Sequence, residues 1–219
     1  YVVDMYREII EDYTAIPRYL QQQYGLIAGH DRGRIWRVSH EAGAKPSRVN
    51  VAKATGAELV GELKNANAWR RETAQRLLVE RGDQSTVAAL TALLREGSTP
   101  QARLHALHTL NGLGALEPPL VEAALADTQP GIRLHALRLA DKWLAQRPTL
   151  LDRALQLIDD ADAKVRLQVA FTLGETRDVR KWPALGALAA RYGGDRWMQA
   201  AIISSVADAP VRLLRELPS

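Results

Sequence analysis

From Ala57 onward the apolar residues fall into short stripes at helical spacing, separated by polar turns. QSTVAALTALLRE, PPLVEAALAD, PTLLDRALQLID and KWPALGALAARY each predict a helix, and the turns that follow carry Pro or Asp (STP, DTQP, DDADA). A second helix comes after each turn. Leu104, Leu107 and Leu110 line one face of it in one copy, and Leu134, Leu137 and Ala140 do so in the next. Pro100 and Pro130 suit the first turn of that second helix, where a missing N–H breaks no hydrogen bond. Gly114 and Gly174 stand where a helix C-cap is expected.

The phrase PQARLHALHTLNGL, starting at Pro100, returns thirty residues later as PGIRLHALRLADKW. Looser copies align on Arg71, Arg103, Arg133, Arg166 and Arg196, spaced 32, 30, 33 and 30 residues apart. A period near thirty with drifting letters predicts stacked helix pairs. Two short helices cannot bury such a face alone, whereas stacked pairs can.

The Arg-x-x-Ala phrase after an Asp- or Pro-bearing turn resembles the HEAT-repeat family, over residues 57–217. That resemblance implies an all-α fold: a right-handed α-solenoid of about five HEAT-like helix pairs, preceded here by a short N-terminal β or irregular segment. HEAT repeats carry no single function, so the resemblance implies architecture and leaves chemistry open.

The first 38 residues follow another pattern. Five of the six tyrosines (Tyr1, Tyr6, Tyr13, Tyr19, Tyr24) lie in the first 24 positions. YVVDMY is β-prone and GRIWRV alternates after a DRG turn signal, so both predict strands. A lone strand pair is marginal in water, which points to a larger sheet. SHEAGAKPSRVNVAKATG, residues 39–56, is small and polar and predicts a linker. The expected organisation is a strand pair over 1–38, a linker over 39–56 and a repeat domain over 57–219.

The run VVDMYREIIE…IP…L…G.DRGRIWRV is similar to the close of the β-propeller in a bacterial family of membrane-bound dehydrogenase-like proteins, abundant in planctomycetes. NANAWRRETAQRLLVER, residues 65–81, is similar to that family's first post-propeller helix. The resemblance implies a longer parent with a quinoprotein sugar dehydrogenase-like propeller before Tyr1, often a cytochrome c domain after Ser219, and a periplasmic or cell-surface location. No residue of this chain matches a quinone-, calcium- or haem-binding motif. No cofactor is therefore expected here, and any dehydrogenase activity is expected of the parent.

Composition narrows the classes further. The chain has no cysteine, which excludes disulfides, thiolate metal sites and C-x-x-C-H haem attachment within it. No run of eighteen apolar residues occurs, so no membrane insertion is expected. The net charge of +4 is spread thinly, with 21 Lys and Arg against 19 Asp and Glu from Ala57 onward and 8 against 6 before it. A nucleic-acid binder usually gathers one sign into a stripe. There is no Gly-rich phosphate loop, no G-x-S-x-G elbow and no H-E-x-x-H. These readings favour a non-catalytic interaction or spacer module. The alternative is nucleic-acid binding in the manner of the HEAT-like alkylpurine DNA glycosylases. A third class, iron held by His-Glu pairs as in the HEAT-repeat deoxyhypusine hydroxylases, finds a His-Glu pair only at His40–Glu41.

Two residue sets carry the candidate chemistry. The arginine ladder (Arg71, Arg103, Arg133, Arg166, Arg196) sits at the seam between units. The HEAT resemblance implies that its members pair with acidic turn residues of a neighbouring repeat. Asp127 and Asp160, each six residues before a ladder arginine, are the candidates. Opposite the apolar stripe the second helices present Thr73, Arg76 and Glu80, then His105 and His108, then His135, Arg138 and Lys142, then Gln168, Phe171 and Glu175. In a solenoid such helices line the concave face. Its basic members, Arg76, His105, His108, His135, Arg138 and Lys142, are expected to receive an acidic protein partner and to gain charge below about pH 6.5. Trp69, Trp143, Trp182 and Trp197 occupy varied repeat positions and are expected as fillers between helices. A monomer is expected, with a dimer through exposed N-terminal strands as the alternative.

Overall fold

The computed structural model describes residues 1–4, 6, 16–26, 28–29, 31–38, 50–207 and 209–217. They divide into two units, Tyr1–Val49 and Asn50–Ser219.

In the first unit β1 (Val2–Asp4) runs antiparallel to β2 (Arg34–Trp36), with Val2 opposite Trp36, Val3 opposite Ile35 and Asp4 opposite Arg34. The pair is tied by side chains: the Trp36 indole N–H donates to Asp4 Oδ2 at 3.1 Å, and the Arg34 guanidinium lies 4.7 Å from the centre of the Tyr6 ring. A short helix, α1 (Arg18–Gln23), buries no residue. Val3 and Ile35, paired across the strands, stay exposed.

The second unit is helical. Its helices are α2 (Gly56–Glu62), α3 (Ala68–Arg81), α4 (Val87–Glu96), α5 (Pro100–Gly112), α6 (Pro118–Leu125), α7 (Pro130–Ala140), α8 (Pro148–Gln156), α9 (Ala163–Gly174), α10 (Lys181–Tyr192), α11 (Arg196–Ser205) and α12 (Pro210–Leu214). The helices α3, α5, α7, α9 and α11 lie side by side in chain order, and each packs on its own preceding helix. In the other layer α2 neighbours α4, α6 neighbours α8, and α10 neighbours α12. The result is a two-layered stack of five helix pairs and a closing half. The fold is all-α apart from the short N-terminal strands.

Local sequence explains where helices begin. Thr55 Oγ1 accepts the Glu58 N–H while Glu58 Oε2 accepts the Thr55 N–H at 2.7 Å, a capping box that satisfies two otherwise orphaned donors. Thr99, Asp162 and Asp195 cap α5, α9 and α11 in the simpler way. Pro100 and Pro130 both occupy the first turn of their helices. Gly114 follows the C-cap of α5 with φ +68, a left-handed conformation that glycine adopts without strain.

Two readings of the sequence shift. The helical unit starts at Asn50, seven residues before the expected boundary at Ala57. Val51 and Ala54 are buried, and the Arg81 guanidinium donates to Ala52 O at 2.8 Å and Ala54 O at 2.6 Å. The end of the expected linker is thus clasped onto α3, whereas residues 39–49 lie outside the described residues. The buried stripe is also rotated. Its centre in α5 is Ala102, Ala106, Leu107 and Leu110, repeated in α7 as Ile132, Ala136, Leu137 and Ala140. Leu104 and Leu134 lie at its half-buried edge.

Gly174 is the last residue of α9, with no left-handed φ, and it serves packing instead of capping. A methyl group there would meet Ser205 Oγ at 2.8 Å and Ser205 Cα at 3.0 Å. The glycine lets α11 come close enough for the buried Ser205 hydroxyl to donate to Ala170 O at 2.8 Å.

Candidate functional site

One arginine per repeat lies at the seam between repeats, and two of them, Arg103 and Arg133, bind in both directions. Arg103 donates Nη1–H to Gly97 O at 2.7 Å, Arg133 to Asp127 O at 2.7 Å, Arg166 to Asp160 O at 2.6 Å and Arg71 to Asn65 O at 2.7 Å. In every case the acceptor is the carbonyl six residues earlier, in the turn of the same repeat. The other edge of the guanidinium reaches forward. Arg103 grips Asp127 with Nε at 2.9 Å and Nη2 at 3.0 Å, and Arg133 grips Asp160 with both at 2.7 Å.

The candidate aspartates therefore pair with the arginine of the preceding repeat, and they offer a backbone carbonyl, not a carboxylate, to the arginine six residues on. Each carboxylate is further fixed by an amide two residues later: Gln129 N–H donates to Asp127 at 2.8 Å and Asp162 N–H to Asp160 at 2.9 Å. Burial pushes the Asp160 carboxyl up, but the Arg133 hydrogen bonds and the Asp162 amide outweigh it and hold the group below the usual carboxylate range. Bidentate, largely buried pairs of this kind are specific as well as strong.

Only two rungs close in this way. Two residues before each second-helix N-cap, the series reads Asn65, Gly97, Asp127, Asp160, Gly193. The repeats that follow Arg71 and Arg166 carry glycine at the position where Arg103 and Arg133 find aspartate. The Nε of Arg71 and that of Arg166 are buried without a hydrogen-bond partner. A shielded donor left unpaired costs about 1–3 kcal/mol, so these two positions are under-satisfied by the standard of their neighbours. The fifth member, Arg196, sits at the start of α11 with its guanidinium over the Trp197 ring at 4.7 Å.

A second seam joins the second helices to one another. Gln75 Oε1 lies 2.6 Å from His105 Nδ1, His108 Nε2 lies 2.9 Å from His135 Nδ1, and Arg138 Nε–H donates to Gln168 Oε1 at 2.9 Å. Lys142 donates to Asn111 Oδ1 at 2.9 Å and lies over the Trp143 ring at 4.0 Å. Each bond joins one repeat to the next. The expected basic surface is therefore largely engaged within the fold; Arg76, exposed, pairs with Glu80 at 3.1 Å.

The histidines titrate on the acid side of an ordinary imidazole. Burial pulls His105, His108 and His135 all below the ordinary imidazole value, with Arg71 adding to it at His105, Arg138 at His108, and His108 and Arg138 at His135. The edge-on contact of the His108 and His135 rings needs at least one neutral ring as acceptor. Charge on this face is thus gained at lower pH than exposed imidazoles would give it. Sequence reasoning missed Gln75, Asn111 and the pairing role of Gln168. They contribute through residues of the adjacent helix that no single repeat displays.

Asp141, at the end of α7, behaves in the opposite sense. Burial raises its carboxyl to about 6, with the Thr172 hydroxyl opposing and Glu175 reinforcing the rise, and its Oδ1 is buried without a partner.

The tryptophans divide. Trp182 is buried and Trp143 half-buried, whereas Trp69 and Trp197 are 64% and 61% exposed, which corrects their expected role as fillers. Trp197 lines a cleft of about 430 Å³ together with Lys164, Arg166, Leu167, Tyr192 and Met198, between the start of α9 and the α10–α11 turn.

Among the described residues, no group of three or more His, Asp or Glu side chains is placed to hold a metal ion, and no helix is long and apolar enough to cross a membrane. The His40–Glu41 pair lies outside the described residues.

Residues 1–42 match the family described as Domain of unknown function (DUF7133). No curated protein matches the chain.

Proposed function

We propose that the helical unit is a HEAT-like α-solenoid working as a non-catalytic interaction or spacer module. The supporting observation is that the three middle repeats are joined twice over. Arg103–Asp127 and Arg133–Asp160 close one seam, while His108–His135 and Arg138–Gln168 close the other. Two lines of directed bonds on different faces restrain both bending and twisting between repeats. A spacer needs that property, and a docking surface assembled from several helices needs it equally.

In the same reading, residues 1–38 are the closing strands of a propeller that belongs to a longer dehydrogenase-like parent. The family match over residues 1–42 supports a break near the unit boundary at Val49, and the exposed apolar pair Val3 and Ile35 suits strands that continue a sheet.

The test uses the absence of cysteine in the chain. Spin labels on Glu72→Cys and Ala200→Cys, both exposed positions, report the separation of the first and last second helices. A spacer gives one narrow distance distribution that Asp160→Ala broadens. A broad distribution in the unaltered protein would sink the reading.

A further inference from the structure

The turn between α10 and α11 breaks a pattern that the protein keeps in its two middle repeats. Arg133 and Arg166 are placed alike, each with Nη1 on the carbonyl six residues back. Arg133 then meets a carboxylate two residues before the next N-cap, whereas the equivalent position in the repeat after Arg166 is Gly193. The Nε that holds Asp160 in one repeat is buried and unpaired in the other. Beside it the cleft opens, with Lys164 and Arg191 as further cations and Leu167, Tyr192, Trp197 and Met198 as apolar walls.

The carboxylates nearby are already in use. Asp195 accepts the Trp197 and Met198 amides at 2.8 and 2.9 Å, and Asp159 is held by Arg191 and by the Tyr192 hydroxyl at 3.5 Å. The Tyr192 ring lies 4.2 Å from the Arg166 guanidinium carbon and covers it.

We propose that this cleft receives an aspartate or glutamate side chain from a partner protein, flanked by an apolar residue. The carboxylate takes the Nε–Nη2 edge of Arg166, as Asp160 takes that of Arg133, and displaces Tyr192 from it. The apolar neighbour packs against Trp197 and Met198. The occupant's chemistry is drawn from the protein's own closed rungs, where the acid sits in the turn sequences ADTQP and DDADA. This deepens the interaction reading by giving the partner a chemistry and a place.

The probe is an acetylated, amidated peptide ALADTQP, a copy of residues 124–130, titrated into the 219-residue chain and followed by NMR at the Trp197 indole and the Arg166 Nε–H. Exposed Trp69, in α3, is the internal control. The expected result is a saturable shift of both cleft signals with Trp69 still, at least tenfold weaker binding when Asn replaces Asp in the peptide, and a comparable loss in Lys164→Ala/Trp197→Ala. Both of those side chains are exposed, so that variant keeps the fold when Arg166→Met does not. Equal binding of the Asp and Asn peptides, or no saturation at millimolar peptide, overturns the proposal. So does binding of benzoate as tightly as the peptide, because the site would then be one for small carboxylates. The spin-label distance from residue 72 to residue 200 is independent of all these outcomes, so failure here leaves the spacer reading standing or falling by its own measurement.

Discussion

Arg133 holds the carboxylate of Asp160 through two hydrogen bonds of 2.7 Å each, with 14% of one side chain and 5% of the other exposed. Removing one partner of such a pair leaves the other buried and uncompensated. Asp160→Ala is expected to cost about 3 kcal/mol in urea unfolding, and Arg133→Met/Asp160→Leu to recover most of it. A double substitution as damaging as the single one would show that the pair does not act as a unit.

The same pair sets a pH limit. The Asp160 carboxyl is held below its unfolded value, so its contribution is complete above about pH 4 and is lost as pH falls through the lower folded value. Acid unfolding monitored by circular dichroism should begin at higher pH in Asp160→Asn than in the parent protein.

The His108–His135 contact predicts a second, milder acid sensitivity. The folded imidazole values are lowered, so the folded chain binds fewer protons than the unfolded one as pH drops below about 6.5. Stability carried by these rings is present above that pH and declines beneath it. In His135→Gln, which copies the residue at the equivalent Gln168, the fall in urea midpoint between pH 7.5 and 5.5 should be smaller.

Asp141 contributes with the opposite sign. Its folded value of about 6 lies above the unfolded one, so its contribution is greatest below about pH 4 and disappears as pH rises through 6. Asp141→Asn should raise stability by roughly 1–2 kcal/mol at pH 7.5, where the unaltered carboxylate is charged and half-shielded, and make no difference at pH 4. A constant gain at both pH values would assign the effect to something other than titration.

Two glycine-to-alanine changes should move stability in opposite directions. At Gly174 the new methyl meets the backbone of Ser205, and a loss of about 1–3 kcal/mol is expected from overpacking. At Gly131, near the start of α7, nothing lies within 4 Å of the added carbon, and a gain of about 0.5 kcal/mol should follow from the smaller entropy of the unfolded chain. Thermal melts of the two variants side by side check both.

The repeat and its helix pairs were legible because period, proline placement and apolar spacing all point to the same units. Gly174 was misread because a glycine at a helix end looks alike whether it caps the helix or admits a neighbour. The partner of each ladder arginine was half legible. Position identified Asp127 and Asp160, but only packing decides that they bind the arginine of the preceding repeat. The second seam was legible as a row of polar positions and not as bonds, since Gln75 with His105 and Arg138 with Gln168 meet only after the helices are stacked. The cleft at Arg166 is visible in sequence solely as a glycine where two earlier repeats have aspartate.

The ladder has a direction. Each closed rung joins an arginine to an acid 24 or 27 residues nearer the C-terminus. As a chain leaves the ribosome, each of these two guanidinium groups emerges while its counter-ion is still inside the exit tunnel, so the rungs close in order of synthesis. A chain released with its C-terminus between Arg133 and Asp160 carries the first rung complete and the second cation without its acid.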